Sequence, residues 1–457
     1  MKIFIKVLFA YILLQPFYAF SESEGLKILV VGAGISGLGV TRDLHDSGYE
    51  VTVLEARNKI GGRIDTDRSL GFPIERGANW IHSNELENNR LMSIKEELGL
   101  KTYISPLTAY DGVKLFDKNG NVINLKKEDL EKIEFRIGLA AYIASYIKPS
   151  SNLEDVIDFL KRIGLLSFAP NAVLQAIHQT LELSAAEDSK NMPIGVLIEE
   201  AEYAESAGSD EEVLGGFDQI TDHLSKNLDI KLNTPVTKID YSFEKIKVFT
   251  DKQVYVADSV VVTVPLGVLQ QNLIEFVPEL PEKKKDAISN INLGNVNKVI
   301  LRFPHKFWGD DKMFFIEREN RSAFSTWFNN EVIVNEPVIY SIISGDYSRE
   351  LEKKSDEYVI EEAMKPLRAV YGEDIPNPDS FLITRWGLEP YILGSYSTAG
   401  YNQDDLTLRT ELAKSIENKI FFAGEATSVN EYGFTHSALN TGLREAKKIK
   451  ELYPLDL

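Results

Sequence analysis

The sequence contains no cysteine among its 457 residues. That absence excludes disulfides, thiolate metal sites, CxxC redox chemistry and a cofactor bonded through a cysteine sulfur. Positive charge is also in deficit: 50 Lys and Arg stand against 69 Asp and Glu, a net charge of −19. Such a balance argues against a nucleic-acid partner and would draw in cationic ligands instead, although many soluble proteins are acidic for solubility alone. The 6 histidines show no metal-ligand spacing, so no metal is expected. After residue 21 no apolar run reaches membrane-span length, and no short repeat or low-complexity tract stands out.

What is present is ordinary for a globular enzyme, with 44% hydrophobic and 26% charged residues and enough chain for two or three domain-sized cores. Residues 1–21 carry Lys2 and Lys6, an apolar run from Val7 to Leu14, Gln15-Pro16, and then Ala19 and Ser21 spaced like a cleavage site. This predicts a cleaved secretory signal and a secreted or periplasmic protein with no stable membrane insertion afterwards. An uncleaved anchor or a misread start are the alternatives. The signal has no twin arginine, which implies export of an unfolded chain.

Leu26 to Val31 reads as a buried strand that enters Gly32-Ala33-Gly34-Ile35-Ser36-Gly37. A helix with Ile35, Leu38, Thr41 and Leu44 on one face follows, Gly48 ends it, and a second strand, Val51 to Leu54, ends at Glu55. In this spacing Gly32 allows the tight turn, Gly34 the approach of a pyrophosphate to the helix N-terminus, and Gly37 the contact of helix with strand. Glu55 stands where a carboxylate accepts hydrogen bonds from ribose hydroxyls. The pattern points to a dinucleotide-binding βαβ unit, the alternative being a structural one with accidental glycines. Gly61-Gly62-Arg63 and Gly77-Ala78-Asn79-Trp80 place glycine backbone and a cation where a diphosphate or flavin edge could lie. Taken alone they read equally as loop glycines and a surface arginine.

With Phe422-Ala423-Gly424-Glu425 added, the series resembles the flavin-containing amine oxidase family over nearly the whole chain after the signal, most weakly between about residues 100 and 210. Within that family Val264-Pro265-Leu266-Gly267-Val268-Leu269-Gln270, Asn297-Lys298-Val299 and Phe303-Pro304-His305-Lys306-Phe307-Trp308 are similar to polyamine oxidases. The resemblance implies an α/β protein: a Rossmann-type FAD-binding domain with a doubly wound sheet, interleaved with an α+β substrate domain. Strand patterns and glycine motifs put the first at 25–83, 213–296 and 386–457, and the second at 84–212 and 297–385. The insert up to 212 reads as mostly helical, with strands from Lys298 to Ser344, helices around 350–372, hairpin strands between Tyr241 and Ala257, and a buried strand from Asp258 to Val264.

By the same resemblance FAD would lie against Gly32, Gly34, Ser36, Gly37, Glu55, Ala56 and Arg57 at its ADP half, and against Gly62, Arg63, Gly77, Ala78, Asn79 and Trp80 further along. Val236 would meet the adenine through its backbone, although it reads equally as a core strand valine. Trp386 would lie along the flavin, Gly424 and Glu425 near the pyrophosphate and ribityl, and Thr435 at the flavin pyrimidine. Ser395 stands where monoamine oxidases have their flavin-bonding cysteine, so the FAD should be noncovalent.

The resemblance implies hydride transfer from a polyamine or N-acetylpolyamine to flavin N5 with O2 as acceptor, giving an aldehyde, an amine and hydrogen peroxide. The expected partners are thus a small cationic amine and O2. Val296, Lys298, Ile300 and Arg302 share one face of a β-like stretch, where a lysine is usually solvated. In the family the matching lysine holds a water against N5, and partial burial should lower its pKa. Tyr396 and Phe434 match the family's aromatic sandwich around the amine, although either could be core. A lone histidine such as His82 is commonly a core or loop residue. In animal-type polyamine oxidases the matching side chain lies near the substrate amine, where a neutral imidazole accepts its hydrogen bond. The acidic run Glu199, Glu200, Glu202, Glu205, Asp210, Glu211 and Glu212 reads as a solvated helix face or loop, or as a tunnel mouth that binds distal ammonium groups. Two rival functions remain: an L-amino-acid oxidase, which needs an arginine clamp for the carboxylate, and a flavin-binding interaction protein without turnover.

Overall fold

Strands buried on both sides set the frame. The computed structural model describes residues 26–105, 113–195, 198, 208–398 and 405–455; the expected signal and Glu199, Glu200, Glu202 and Glu205 lie outside them. Five strands form an all-parallel sheet in the order Ile420–Phe422, Ser259–Val262, Lys27–Val31, Glu50–Leu54 and Asp229–Lys231. The runs of valine, isoleucine and phenylalanine in its middle strands suit a sheet covered on both faces. One face is covered by the helices Ile35–Asp46 and Thr435–Leu452, which share a core with Val30, Val53 and Val261. Glycine permits their close approach: a Cβ on Gly442 would stand 2.3 Å from the Ser36 carbonyl oxygen. The other face meets a four-stranded sheet, Val254–Ala257, Ile246–Thr250, Val236–Asp240 and Glu275–Val277, through Ile239, Ile246 and Val248.

A second large sheet has six strands, in the order Ser380–Ile383, Val296–Arg302, Val338–Ser344, Thr326–Asn329, Met313–Ile316 and Val113–Phe116. Its strand Val296–Arg302 is covered on both faces, because Asn297 through Leu301 are all buried. Val299 and Leu301 pack toward Val359, Ala363 and Leu367 of the helix Asp356–Tyr371. On the opposite side Ile300 packs with Ile74, Phe315 and Tyr340, and Lys298 shares that side by alternation.

The insert is helical at Arg90–Leu98, Lys127–Ile147, Leu153–Arg162 and Asn171–Ala185. It is less uniformly so than expected. Val113–Phe116 joins the six-stranded sheet, and Thr102–Ile104 and Glu211–Val213 form a three-stranded sheet with Trp80–Ile81. The end of the acidic run is therefore a central strand rather than a solvated face. Its register sets Trp80 opposite Glu212 and Ile81 opposite Glu211, so the next rung brings His82 to Asp210. Among the described residues no helix is long and apolar enough to cross a membrane.

Candidate active site

The first βαβ unit ends in a cradle built from backbone. Gly32 has φ +107°, and a Cβ on Gly37 would come within 2.0 Å of the Gly32 carbonyl oxygen; both positions require glycine. Gly34 differs, since a Cβ there meets nothing within 4 Å. It caps the helix Ile35–Asp46 without a side-chain hydrogen bond, leaving first-turn N–H groups and the positive helix end toward open space. That donor set fits a diphosphate.

Glu55 accepts from the backbone N–H of Ala33 at 2.6 Å and of Arg57 at 2.8 Å. Burial pushes its carboxyl up against those two donors. The Thr234 N–H donates to the Glu55 carbonyl at 2.8 Å, which brings the segment leading to Val236 beside Ala56. The Val236 side chain itself belongs to the core. Two expected cofactor side chains are engaged elsewhere. Arg57 donates to the Gly62 carbonyl at 2.8 Å, and the Ser36 hydroxyl lies 3.4 Å from that of Thr441.

Four distant segments meet at Arg63. Its guanidinium donates to the Ser395 carbonyl at 2.8 Å and to Glu425 Oε1 at 2.9 Å. Glu425 is buried and also accepts from the Ser397 hydroxyl at 2.5 Å and the Gly433 N–H at 3.1 Å. Burial opposes its ionisation, but Arg63, Ser397 and Arg409 outweigh it and hold the carboxyl below its ordinary range. Gly424 N–H donates to Thr441 at 2.9 Å, and Thr435 opens the last helix with no side-chain cap. Trp386 donates from its indole to the Arg76 carbonyl at 3.2 Å and lies over Gly77, where a Cβ would stand 3.2 Å from the ring. Ala78 N–H closes the loop by donating to the Arg63 carbonyl at 3.0 Å.

Lys298 projects from its strand into a buried polar cluster. Its ammonium donates to the Glu75 carbonyl at 3.0 Å, the Gly77 carbonyl at 2.8 Å and Asn79 Oδ1. These use all three of its donors. It also lies 5.9 Å from the Trp80 ring centre and 5.5 Å from that of Tyr340. Asn79 passes its NH2 to Glu212 Oε1 at 2.9 Å and to the Tyr340 hydroxyl at 3.2 Å. Its side chain thus serves the lysine cluster. Burial pushes Lys298 down to about 8, Glu75 up to about 7 and Glu212 up to about 8. Each group is driven toward its neutral form.

The remaining expected residues form an aromatic corner. His82 Nδ1 is 2.9 Å from Asp210 Oδ1, with the Phe434 ring centre 5.1 Å and the Trp80 ring centre 5.7 Å from the imidazole. The Tyr396 hydroxyl donates to the Leu183 carbonyl at 2.5 Å. Gly433, next to Phe434, approaches the Tyr396 ring so closely that a Cβ would stand 3.3 Å away. From the acidic run Asp210 reaches this corner, Glu212 reaches Lys298, and Glu211 is taken up by Lys95, Thr102 and Asn84. Glu75, Glu212 and Tyr340 have no separate motif in the sequence. Elsewhere Glu187, Asp188 and Asp346 bring carboxylates together, but Lys190 and Arg349 already pair with them.

Comparisons with known proteins agree with this geometry. A family model described as flavin containing amine oxidoreductase matches residues 35–450. Polyamine oxidase 4 of Oryza sativa subsp. japonica is 33% identical over 443 residues, which cover 93% of this chain and 88% of that protein. Lysine-specific histone demethylase 2 of Homo sapiens is 31% identical over 449 residues, 93% of this chain and 53% of that protein. A solved putrescine oxidase bound to putrescine has a TM-score of 0.73 at 19% identity, covering 93% of this chain and 99% of that one. At that identity the likeness speaks for the fold.

Proposed function

The chain belongs to the flavin-containing amine oxidoreductase family and is an FAD-dependent amine oxidase, and from that premise we propose that its amine is a polyamine or an N-acetylpolyamine. The balanced reaction takes amine, O2 and water to an aldehyde, a smaller amine and hydrogen peroxide. Bound FAD supplies the electron sink, accepting a hydride from the carbon beside the amine nitrogen and delivering two electrons to O2. The residues that would hold it are the Gly32–Gly37 turn, Glu55, Arg63, Glu425 and the N-terminus of Thr435–Leu452.

The carrying observation is the pairing of His82 with Asp210 beside Phe434. In a neutral imidazole, a carboxylate accepting from Nδ1–H selects the tautomer whose Nε2 carries the lone pair. That lone pair can accept an N–H from a secondary ammonium and take its proton, leaving the amine neutral and the imidazolium paired with Asp210. Tyr396 and Phe434 would exclude water and align the C–H bond. In its neutral form Lys298 would keep two of its three acceptors and turn its lone pair to a water in the reoxidation half of the cycle.

A carboxylate-binding clamp finds less support. Among the described residues Arg321 is tied to Glu154 and Glu182, Arg349 to Glu187, and Arg385 to Asp356. Each is already neutralised. Peroxide release from spermine, spermidine, N-acetylspermine, a simple monoamine and L-leucine tests the proposal. Turnover of a polyamine or its acetyl form is expected, and activity confined to L-leucine would overturn it.

We further propose that residues 1–21 direct export. Protein recovered outside the cytoplasm with an N-terminus following Ser21 would support this, and an intact Met1 on cytoplasmic protein would remove it.

A further inference from the structure

A cavity of about 190 Å³ lies between the short helix Glu331–Val334 and the buried acids Glu75 and Glu212. Exposed Gly215 lines it together with half-buried Pro73, Ile333 and Val334, so it runs from the surface to the two carboxyls. A space of that size holds several waters, and the carboxyls give them polar partners. Its walls share no residue with the corner formed by His82, Phe434 and Tyr396, and Lys298 is not among them either. Water therefore has a way to Glu212 that does not pass the aromatic corner.

Glu212 Oε1 accepts one N–H of Asn79 at 2.9 Å, and the Tyr340 hydroxyl lies 3.2 Å from the same NH2. With its nitrogen held on that side, the amide presents Oδ1 to the Lys298 ammonium. The other two acceptors of Lys298 are the backbone carbonyls of Glu75 and Gly77, whose directions the chain fixes. Asn79 is the acceptor that can turn over, and a flipped amide would set N–H groups against the ammonium. Glu212 thus selects an orientation, and its charge acts on the same lysine: ionised it favours the ammonium, neutral it favours the amine. The titratable groups facing Glu212 are Lys298, Glu75, Tyr340 and, opposite it in the sheet, Tyr103. The Asp210–His82 pair stands two residues along the same strand, and Glu331 of the short helix is taken up by Lys306.

We propose that Glu212 is a positioning residue for Lys298: open to water through the cavity, it holds the Asn79 amide toward the lysine and by its own charge sets the lysine's protonation. The proposal rests on the part given to Lys298 in reoxidation. It puts that half of the cycle under the control of protons that arrive by the cavity and not by the amine's corner.

Two readouts test this. In apoprotein carrying lysine labelled with 13C at Cε, the Lys298 resonance is assigned by its loss in Lys298→Met, and its pH titration reports the lysine without flavin or turnover. Glu212→Gln keeps an acceptor for Asn79 but removes the charge, and should move the midpoint down by about one pH unit. Val334→Phe fills the cavity and should move it the same way, because loss of water keeps Glu212 neutral to higher pH. In the holoenzyme, the pH at which reoxidation rises should fall with the midpoint in Glu212→Gln, its plateau staying within about twofold of wild type, whereas Glu212→Leu also frees the amide and should lower the plateau about tenfold. A midpoint that Glu212→Gln or Val334→Phe leaves in place, beside slow reoxidation of Lys298→Met, overturns the proposal alone. A midpoint that moves while Lys298→Met is reoxidised like wild type removes the lysine's part in reoxidation, and the proposal falls with it.

Discussion

Asn79 stands between Glu212 and Lys298, donating to the first at 2.9 Å while accepting from the second. One amide therefore couples a buried acid to a buried base that do not touch. Any change in the proton of one is felt by the other through an oriented hydrogen-bond chain.

The cluster should leave a mark on stability against pH. Glu212 is raised to about 8 and Glu75 to about 7 from an ordinary 4.5. Between pH 4.5 and these values the unfolded chain releases protons that the folded one keeps, so stability from these groups is full below pH 4.5 and falls as pH rises. Lys298, lowered to about 8 from 10.5, acts oppositely: its contribution is full above pH 10.5 and is lost as pH falls through 8. Glu212→Gln should flatten the decline between about pH 5 and 8, by at most about 1.4 kcal/mol per pH unit. Thermal unfolding across that range checks it; an unchanged slope would mean that Glu212 is ionised in the fold.

Lys298→Met should slow reoxidation on the order of a hundredfold while changing anaerobic reduction by less than about threefold. Stopped-flow mixing with amine, and then with O2, separates the halves. Equal slowing of both would assign Lys298 to scaffold bonding at Glu75, Gly77 and Asn79.

At the aromatic corner, His82→Ala should lower kcat/KM for the amine by roughly one to two orders of magnitude and leave FAD bound. Asp210→Asn keeps the shape but removes the carboxylate that fixes the tautomer, so it should reproduce much of the loss and alter the pH profile of kcat/KM. Colourless His82→Ala protein would mark the residue as structural.

Two glycines a helical turn apart should fail differently. Gly37→Ala drives a methyl into the Gly32 carbonyl at 2.0 Å and should cost several kcal/mol, about 3 to 5, with poor recovery of folded protein. Gly34→Ala meets only open space and should fold with near-normal apoprotein stability, its methyl standing in the approach of the diphosphate. Flavin content against apoprotein melting temperature distinguishes them, and full FAD loading of Gly34→Ala would refute the placement.

The nucleotide cradle was legible because steric demands there are local: Gly32, Gly34 and Gly37 each answer to a turn, an approach or a contact within one βαβ unit. Lys298 was legible only through family likeness, since its burial depends on neighbours at 338–344 and 380–383. Alternation in its own strand set it beside Val296, Ile300 and Arg302 on a face where a lysine is usually solvated, yet that face is buried too. Asp210 and Glu212 looked like part of a solvated acidic run. The antiparallel register with Trp80–Ile81 carries them inward, and that pairing spans more than a hundred residues.

The junction at Arg63 also constrains the order of events during synthesis. Arg63 emerges early, yet its partner Glu425 lies 362 residues later, and the sheet's edge strand Ile420–Phe422 is made only just before it. A ribosome must finish nearly the entire polypeptide before a complete flavin pocket can exist. Closure of that pocket is therefore among the last events of folding.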